Sequence, residues 1–267
     1  MRCPMRDDFQ FGKKAGRLLI KIILPAMIIA GWQILVIYGD LPPILLPKLE
    51  KVGADFITYL MNGELLHHVL ISLRRCAIGF FAGSATGIAM GILLGWFRRL
   101  EDFFDVTLNF SRSIPKTALA PLLIVWFGFG DFPKVLLIGL GAFFYTVIPT
   151  LEGVRNVDNL LVKSARSMGA NDRQIVLSVI LPASMPSIYA GIRIAAASSF
   201  VILLFVEIIS GNSGLGFLLE NSRESLNTST MFMTLIVVGI LGFSLDWLVR
   251  FTEKKVMPWQ RGRTLSR

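Results

Sequence analysis

The sequence predicts an all-α polytopic membrane protein with six transmembrane helices, from its composition, its apolar runs and the placement of its basic residues. Of 267 residues, 54% are hydrophobic and only 17% charged, with a mean hydropathy of +0.64. A soluble domain of this size carries roughly 25% charged residues to cover its core, so lipid must cover part of this one. The 24 Gly and 12 Pro follow no three-residue period, and two cysteines, Cys3 and Cys76, are too few to staple the chain and read as free thiols.

Six stretches are apolar over the ~20 residues that a hydrocarbon core of about 30 Å requires. They run over Leu18–Tyr38, Cys76–Phe97, Phe103–Phe127, Val135–Leu151, Ser187–Ser210 and Met231–Val249. Charges out to Lys21 and the lack of a small-residue cleavage pattern make the first an uncleaved anchor. The third contains Pro115 between Arg112 and Lys116, which predicts a helix broken where neighbouring protein, not lipid, satisfies the freed backbone groups.

With the N-terminus inside, 18 Lys and Arg fall on the inner side and 6 on the outer. That bias predicts both termini in the cytoplasm, and it accounts for the net charge of +9 without nucleic acid. Residues 1–17 read as a cytoplasmic N-terminal segment, 18–259 as one transmembrane domain and 260–267 as a cytoplasmic basic tail. Between the first two spans, 45–73 reads as an interfacial amphipathic helix or an extension of the second span.

The second span carries Gly79, Gly83, Gly87, Gly91 and Gly95, a stripe without side chains on one helical face. Each glycine costs a helix about 1 kcal/mol relative to alanine, so the stripe predicts close approach of another backbone. Static packing and a sliding surface both fit. On the inner side, Leu160, Leu161, Ala165 and Met168 share one face of a short amphipathic helix, with Lys163, Arg166 and Ser167 elsewhere. Gly169 is placed to end it as a left-handed cap, and Asn171-Asp172 to start the next helix. An ordinary interfacial helix would look the same.

Polar groups at membrane depth are costly and mark sites. Glu207 and Arg193 lie on the fifth span, fourteen residues or roughly 21 Å apart, too far to pair with each other. Arg193 reads either as a contact for an anionic solute or as a chain snorkelling to headgroups. Ser198, Ser199 and the break at Arg112, Pro115 and Lys116 are further candidates for a solute path. The turn 208–216 reads as an outer gate or a plain loop, and Asp246 pairs with Arg250 one turn on. His67-His68 is a poor metal pair, and no nucleophile–base constellation or G-x-x-x-x-G-K-[ST] loop is present, so neither a metal nor catalysis is expected.

Lys163-Ser164-Ala165, three residues, Gly169, nine residues, then Val179-Ile180-Leu181-Pro182 resembles the cytoplasmic motif of inner-membrane permease subunits of bacterial ATP-binding-cassette importers. That motif reads Glu-Ala-Ala, three residues, Gly, nine residues, Ile, one residue, Leu-Pro; here Lys163, Ser164 and Val179 replace its Glu, first Ala and Ile. Ser113–Leu122, Trp126–Gly130, Ser213–Gly216 and Pro258-Trp259 are similar to the subgroup serving nitrate, sulfonate, taurine and related solutes. The resemblance covers about Leu41 to Trp259.

It implies the type I (MetI-like) importer permease fold, in the bacterial inner membrane, with 160–171 as a coupling helix docked in a separate ATPase. Lys163, Ser164, Ala165, Met168, Gly169, Val179, Leu181 and Pro182 would make or frame that contact, and Lys163 predicts an acidic residue on the partner. Two ATPase subunits holding ATP and Mg, a second, identical permease and an outer solute-binding protein complete the assembly, so this chain itself binds no cofactor. The solute is expected to be a small anion such as a sulfonate, taurine or nitrate, with a vitamin precursor or aromatic acid as the alternative. A self-contained channel or secondary transporter would show an internal inverted repeat, and none is evident.

Overall fold

Five glycines four apart on one long helix decide how the molecule is built. In the computed structural model, which describes residues 23–39 and 42–258, helices α1 (Ile23–Tyr38), α2 (Leu49–Met61) and α3 (Glu64–Trp96) come first. Then follow α4 (Arg98–Ser113), a 3-10 turn (Lys116–Leu119), α5 (Ala120–Phe127), α6 (Asp131–Arg155) and α7 (Asn159–Ser167). The chain closes with α8 (Asp172–Ile175), α9 (Leu181–Ser210), α10 (Leu215–Glu224) and α11 (Thr228–Val256).

The glycine stripe of α3 lies against α6. A Cβ at Gly91 would stand 2.6 Å from Thr150 Cβ, and one at Gly95 2.6 Å from Val154 Cγ1, while Gly83 meets the backbone of Gly139 directly. Thr146 and Thr150 can sit in this seam because each hydroxyl is already bonded one turn back, to the carbonyls of Ala142 (2.8 Å) and Thr146 (2.7 Å). Of the two readings of the stripe, the structure displays a tightly closed seam.

Contacts advance together along both helices, from Gly79–Ile138 to Gly95–Val154, so α3 and α6 are parallel. The chain between them must return along the full length of the bundle, and α4 with α5 makes that return. α9 packs antiparallel against both, burying Leu137, Ile138, Phe200, Ile202, Leu203 and Val206 in the main core.

Among the described residues, four helices are long and apolar enough to cross a membrane: Glu64–Trp96, Asp131–Arg155, Asp172–Ser210 and Thr228–Val256. The stretch read as one span over Phe103–Phe127 is divided. Its first half belongs to α4, which carries Arg98, Arg99, Glu101, Asp102, Asp105 and Arg112, and only Lys116–Phe127 is a short apolar helix. The break falls at Pro115 as expected. The 45–73 segment resolves into both of its readings, a separate α2 and a ten-residue extension of α3 beginning at Glu64.

The fifth span is longer than its apolar run, because α8, a π-helical turn (Val176–Ile180) and α9 form one rod of 39 residues. Pro182 explains the π turn: it lacks an N–H, its ring crowds the carbonyl four residues back, and widening the helix there relieves both. α1 is exposed along most of its length and is held at Trp32, whose indole N–H donates to Pro47 O (3.0 Å) and whose ring meets Phe232 edge-on at 4.7 Å. The expected N-terminal segment, the start of the first span at Leu18, Cys3, Trp259 and the basic tail lie outside the described residues.

Candidate functional site

Three features of the bundle carry chemistry, one at each end and one between. At the end bearing the α6 C-terminus, Asp158 caps α7 by accepting from Leu160 N (2.8 Å). Gly169 closes α7 with φ +85°, letting Ala170 N bond Ala165 O (3.1 Å) and Gly169 N bond Arg166 O (3.0 Å). Asn171 and Gln174 then form a reciprocal capping box that starts α8. Both caps stand where the spacing put them.

Ala165 is the exception on this helix. It was expected to face a partner, but it is buried against Val154, Ile175 and Ile180 of its own chain, since only a small side chain lets α7 lie this close to the π turn. The face left open consists of Leu160 (67% exposed), Leu161 (51%) and Met168 (82%), with Lys163 and Ser164 exposed beside them. Val179 and Leu181 are half-buried and Pro182 exposed.

Around the Pro115 break two cavities, of about 270 and 320 Å³, share Pro115, Lys116 and Tyr145 in their walls. Arg112 lines the first and Ser198 the second, so four of the expected path residues meet here. Lys116 does not reach out freely: its ammonium donates to the Ser111 and Ile114 carbonyls that end α4, and lies 4.2 Å from the Phe144 ring centroid. Pro149 lines the first cavity and leaves the Tyr145 carbonyl without its helical donor, loosening α6 at this level.

The other three expected path residues lie elsewhere. Arg193 lines neither of these cavities; its Nε donates to Asp246 Oδ1 (3.2 Å) on α11, and Asp246 also accepts from Arg250 (2.6 Å), the expected one-turn pair. Ser199 is fully buried, away from both cavities. Glu207 is fully buried at the opposite end of the bundle from α7.

Glu207 there accepts from Ser72 Oγ (2.8 Å), Gly216 N (3.1 Å) and Arg75 Nη1 (2.8 Å). Arg75, itself 3% exposed, also donates to Asp131 Oδ1 (2.6 and 2.8 Å), Ser213 O (2.7 Å) and Ser213 Oγ (3.0 Å). One guanidinium thus ties α3, α6, α9 and the 211–214 turn together, and His68 Nδ1 accepts from Gly214 N (3.0 Å) to finish the clamp. The turn read as gate or loop is therefore anchored. Fully buried Lys134 lies in the same electrostatic neighbourhood, and its ammonium has no hydrogen-bond partner among the described residues. Sequence reading missed Arg75, whose one signal was a basic pair, Arg74-Arg75, opening an otherwise apolar run.

Residues 83–258 match the family model described as binding-protein-dependent transport system inner membrane component. A Bacillus subtilis protein named as an aliphatic sulfonates transport permease, SsuC, is 36% identical, over 93% of this chain and 90% of its own. The taurine transport system permease protein TauC of Escherichia coli is 30% identical, over 88% of this chain and 87% of its own. Among solved structures, a chain of the methionine ABC transporter MetNI in an inward-facing conformation superposes with a TM-score of 0.63 at 22% identity. That match covers 78% of this chain and 98% of the MetNI chain, a likeness of fold.

Proposed function

Because this chain belongs to the binding-protein-dependent transport system inner membrane components, we propose that it carries a small anion, a sulfonate, taurine or nitrate, into the cytoplasm. It is a permease of the ATP-binding-cassette type. ATP hydrolysis belongs to two separate ATPase subunits, solute delivery to an outer binding protein, and the transport path to a pair of these permeases. The α7 end faces the cytoplasm and the Arg75 clamp faces outward, in the orientation that the basic residues favour.

The observation that carries this reading is the open apolar face of α7, Leu160, Leu161 and Met168, on a helix capped at both ends and backed by a packed core. Exposed apolar surface rimmed by polar groups marks a protein contact. A rigid helix wedged through Ala165 against the root of the 39-residue rod passes force to α9 without bending, which suits a lever driven by an external motor. Moving a two-state transporter from mostly inward to mostly outward takes about 5.5 kcal/mol, an amount suited to ATP-driven dimerisation of a partner.

Cross-linking of Met168→Cys and Leu160→Cys permeases tests the contact in proteoliposomes holding the ATPase and binding protein. We expect both to form a disulfide with a cysteine in the ATPase groove, with yields that change when ATP is added. Bonds formed only within the permease, or uptake that persists without the ATPase, would overturn the reading. Lys163→Glu should weaken assembly several-fold by placing like charges at the contact.

A further inference from the structure

We infer that Tyr145, which nothing in the sequence motifs singles out, is the residue that reads the charged headgroup of the solute, on the premise that the chain carries a small organic oxyanion. Tyr145 stands in the walls of both cavities at the Pro115 break and is 38% exposed. Its hydroxyl bonds no described residue, and neither does the guanidinium of Arg112 in the first cavity or the hydroxyls of Thr117 and Ser198 in the second. The other polar side chains of the two walls are already engaged: Lys116 by two carbonyls and a ring, and Ser113 by Asn109 O (3.1 Å).

The free side chains can all donate hydrogen bonds, and among the described residues no carboxylate lines either cavity. An oxyanion needs that combination. A sulfonate spreads one charge over three oxygens and accepts best from a guanidinium fork together with hydroxyls. The remaining walls are apolar, with Phe144, Ile148 and Ile194 in the first cavity and Val201 and Ile202 in the second. A headgroup held by Arg112 and the Tyr145 hydroxyl would leave its alkyl part against these side chains. Of the three residues that both cavities share, Pro115 has no side-chain donor and Lys116 is engaged, so Tyr145 can hold the headgroup as the solute passes from one to the other.

Uptake of radiolabelled ethanesulfonate tests this, with wild-type and Tyr145→Phe permeases reconstituted with the ATPase and a binding protein loaded with ethanesulfonate. Tyr145→Phe keeps the ring and the cavity and removes one hydrogen bond to a charged group. We expect the maximal uptake rate at saturating binding protein to fall about tenfold, and label retained in vanadate-trapped complexes to fall with it. Half-saturation, which the binding protein sets, and thermal stability should not move. Undiminished uptake and retention in Tyr145→Phe, with the wild type active, would overturn the inference alone. Failure of the wild type to take up ethanesulfonate with ATP would overturn the sulfonate reading and the inference with it.

Discussion

Replacing Arg75 by Met lowers the unfolding free energy of the permease by about 3–5 kcal/mol, the cost of leaving a buried carboxylate without its ionic partner. Glu207 has no access to water, and Ser72 Oγ and Gly216 N alone cannot offset the loss of the guanidinium. Asp131 is less affected, because it is 41% exposed at its side chain and keeps Arg74 at 2.6 Å. The double variant Arg75→Met/Glu207→Leu should recover much of the loss, since an apolar pair of similar volume avoids desolvating both charges. Thermal unfolding of the detergent-solubilised protein measures all four corners of this cycle. An Arg75→Met protein as stable as wild type would mean that the clamp contributes nothing, or that Lys134 takes over Glu207, which Arg75→Met/Lys134→Met would separate.

What the sequence disclosed about this protein follows from the range of each interaction. The glycine seam, the Gly169 cap, the Asn171 box and the Asp246–Arg250 pair are written within one or two helical turns, and each stands where spacing predicts. The Arg75–Glu207 clamp joins positions 132 residues apart, and the Arg193–Asp246 bond positions 53 apart, so no local pattern announces either. Arg193 was read against lipid and solute because its partner sits on another helix. Ala165 differs for another reason: an amphipathic helix packed on its own bundle has a buried face and an open one, and periodicity alone does not say on which of them a small residue falls. At the break, Pro115 was legible from its chemistry, but Tyr145 was not, because an aromatic residue in an apolar span looks like core until a cavity is found beside it.

Gly83→Val should cost about 3 kcal/mol or more and collapse uptake. Two effects oppose each other. Replacing a helical glycine gains up to about 1 kcal/mol in propensity, while overpacking a closed interface costs about 1–3 kcal/mol and more where nothing can yield. At Gly83 the first atoms met are the Gly139 carbonyl and the Ala142 Cβ, so relief requires α3 and α6 to separate along the whole seam, and the clash wins. At Gly53 in α2 a new Cβ meets nothing within 4 Å, so Gly53→Ala should be neutral or slightly stabilising and serves as the control. The contrast bears on mechanism. If α3 and α6 travel as one rigid body through the transport cycle, a Gly83→Ala protein loses stability and uptake together. A Gly83→Ala protein that keeps its stability but loses uptake would show that the seam opens and slides during transport, and full retention of both would mean that the two helices lie farther apart than this structure holds them.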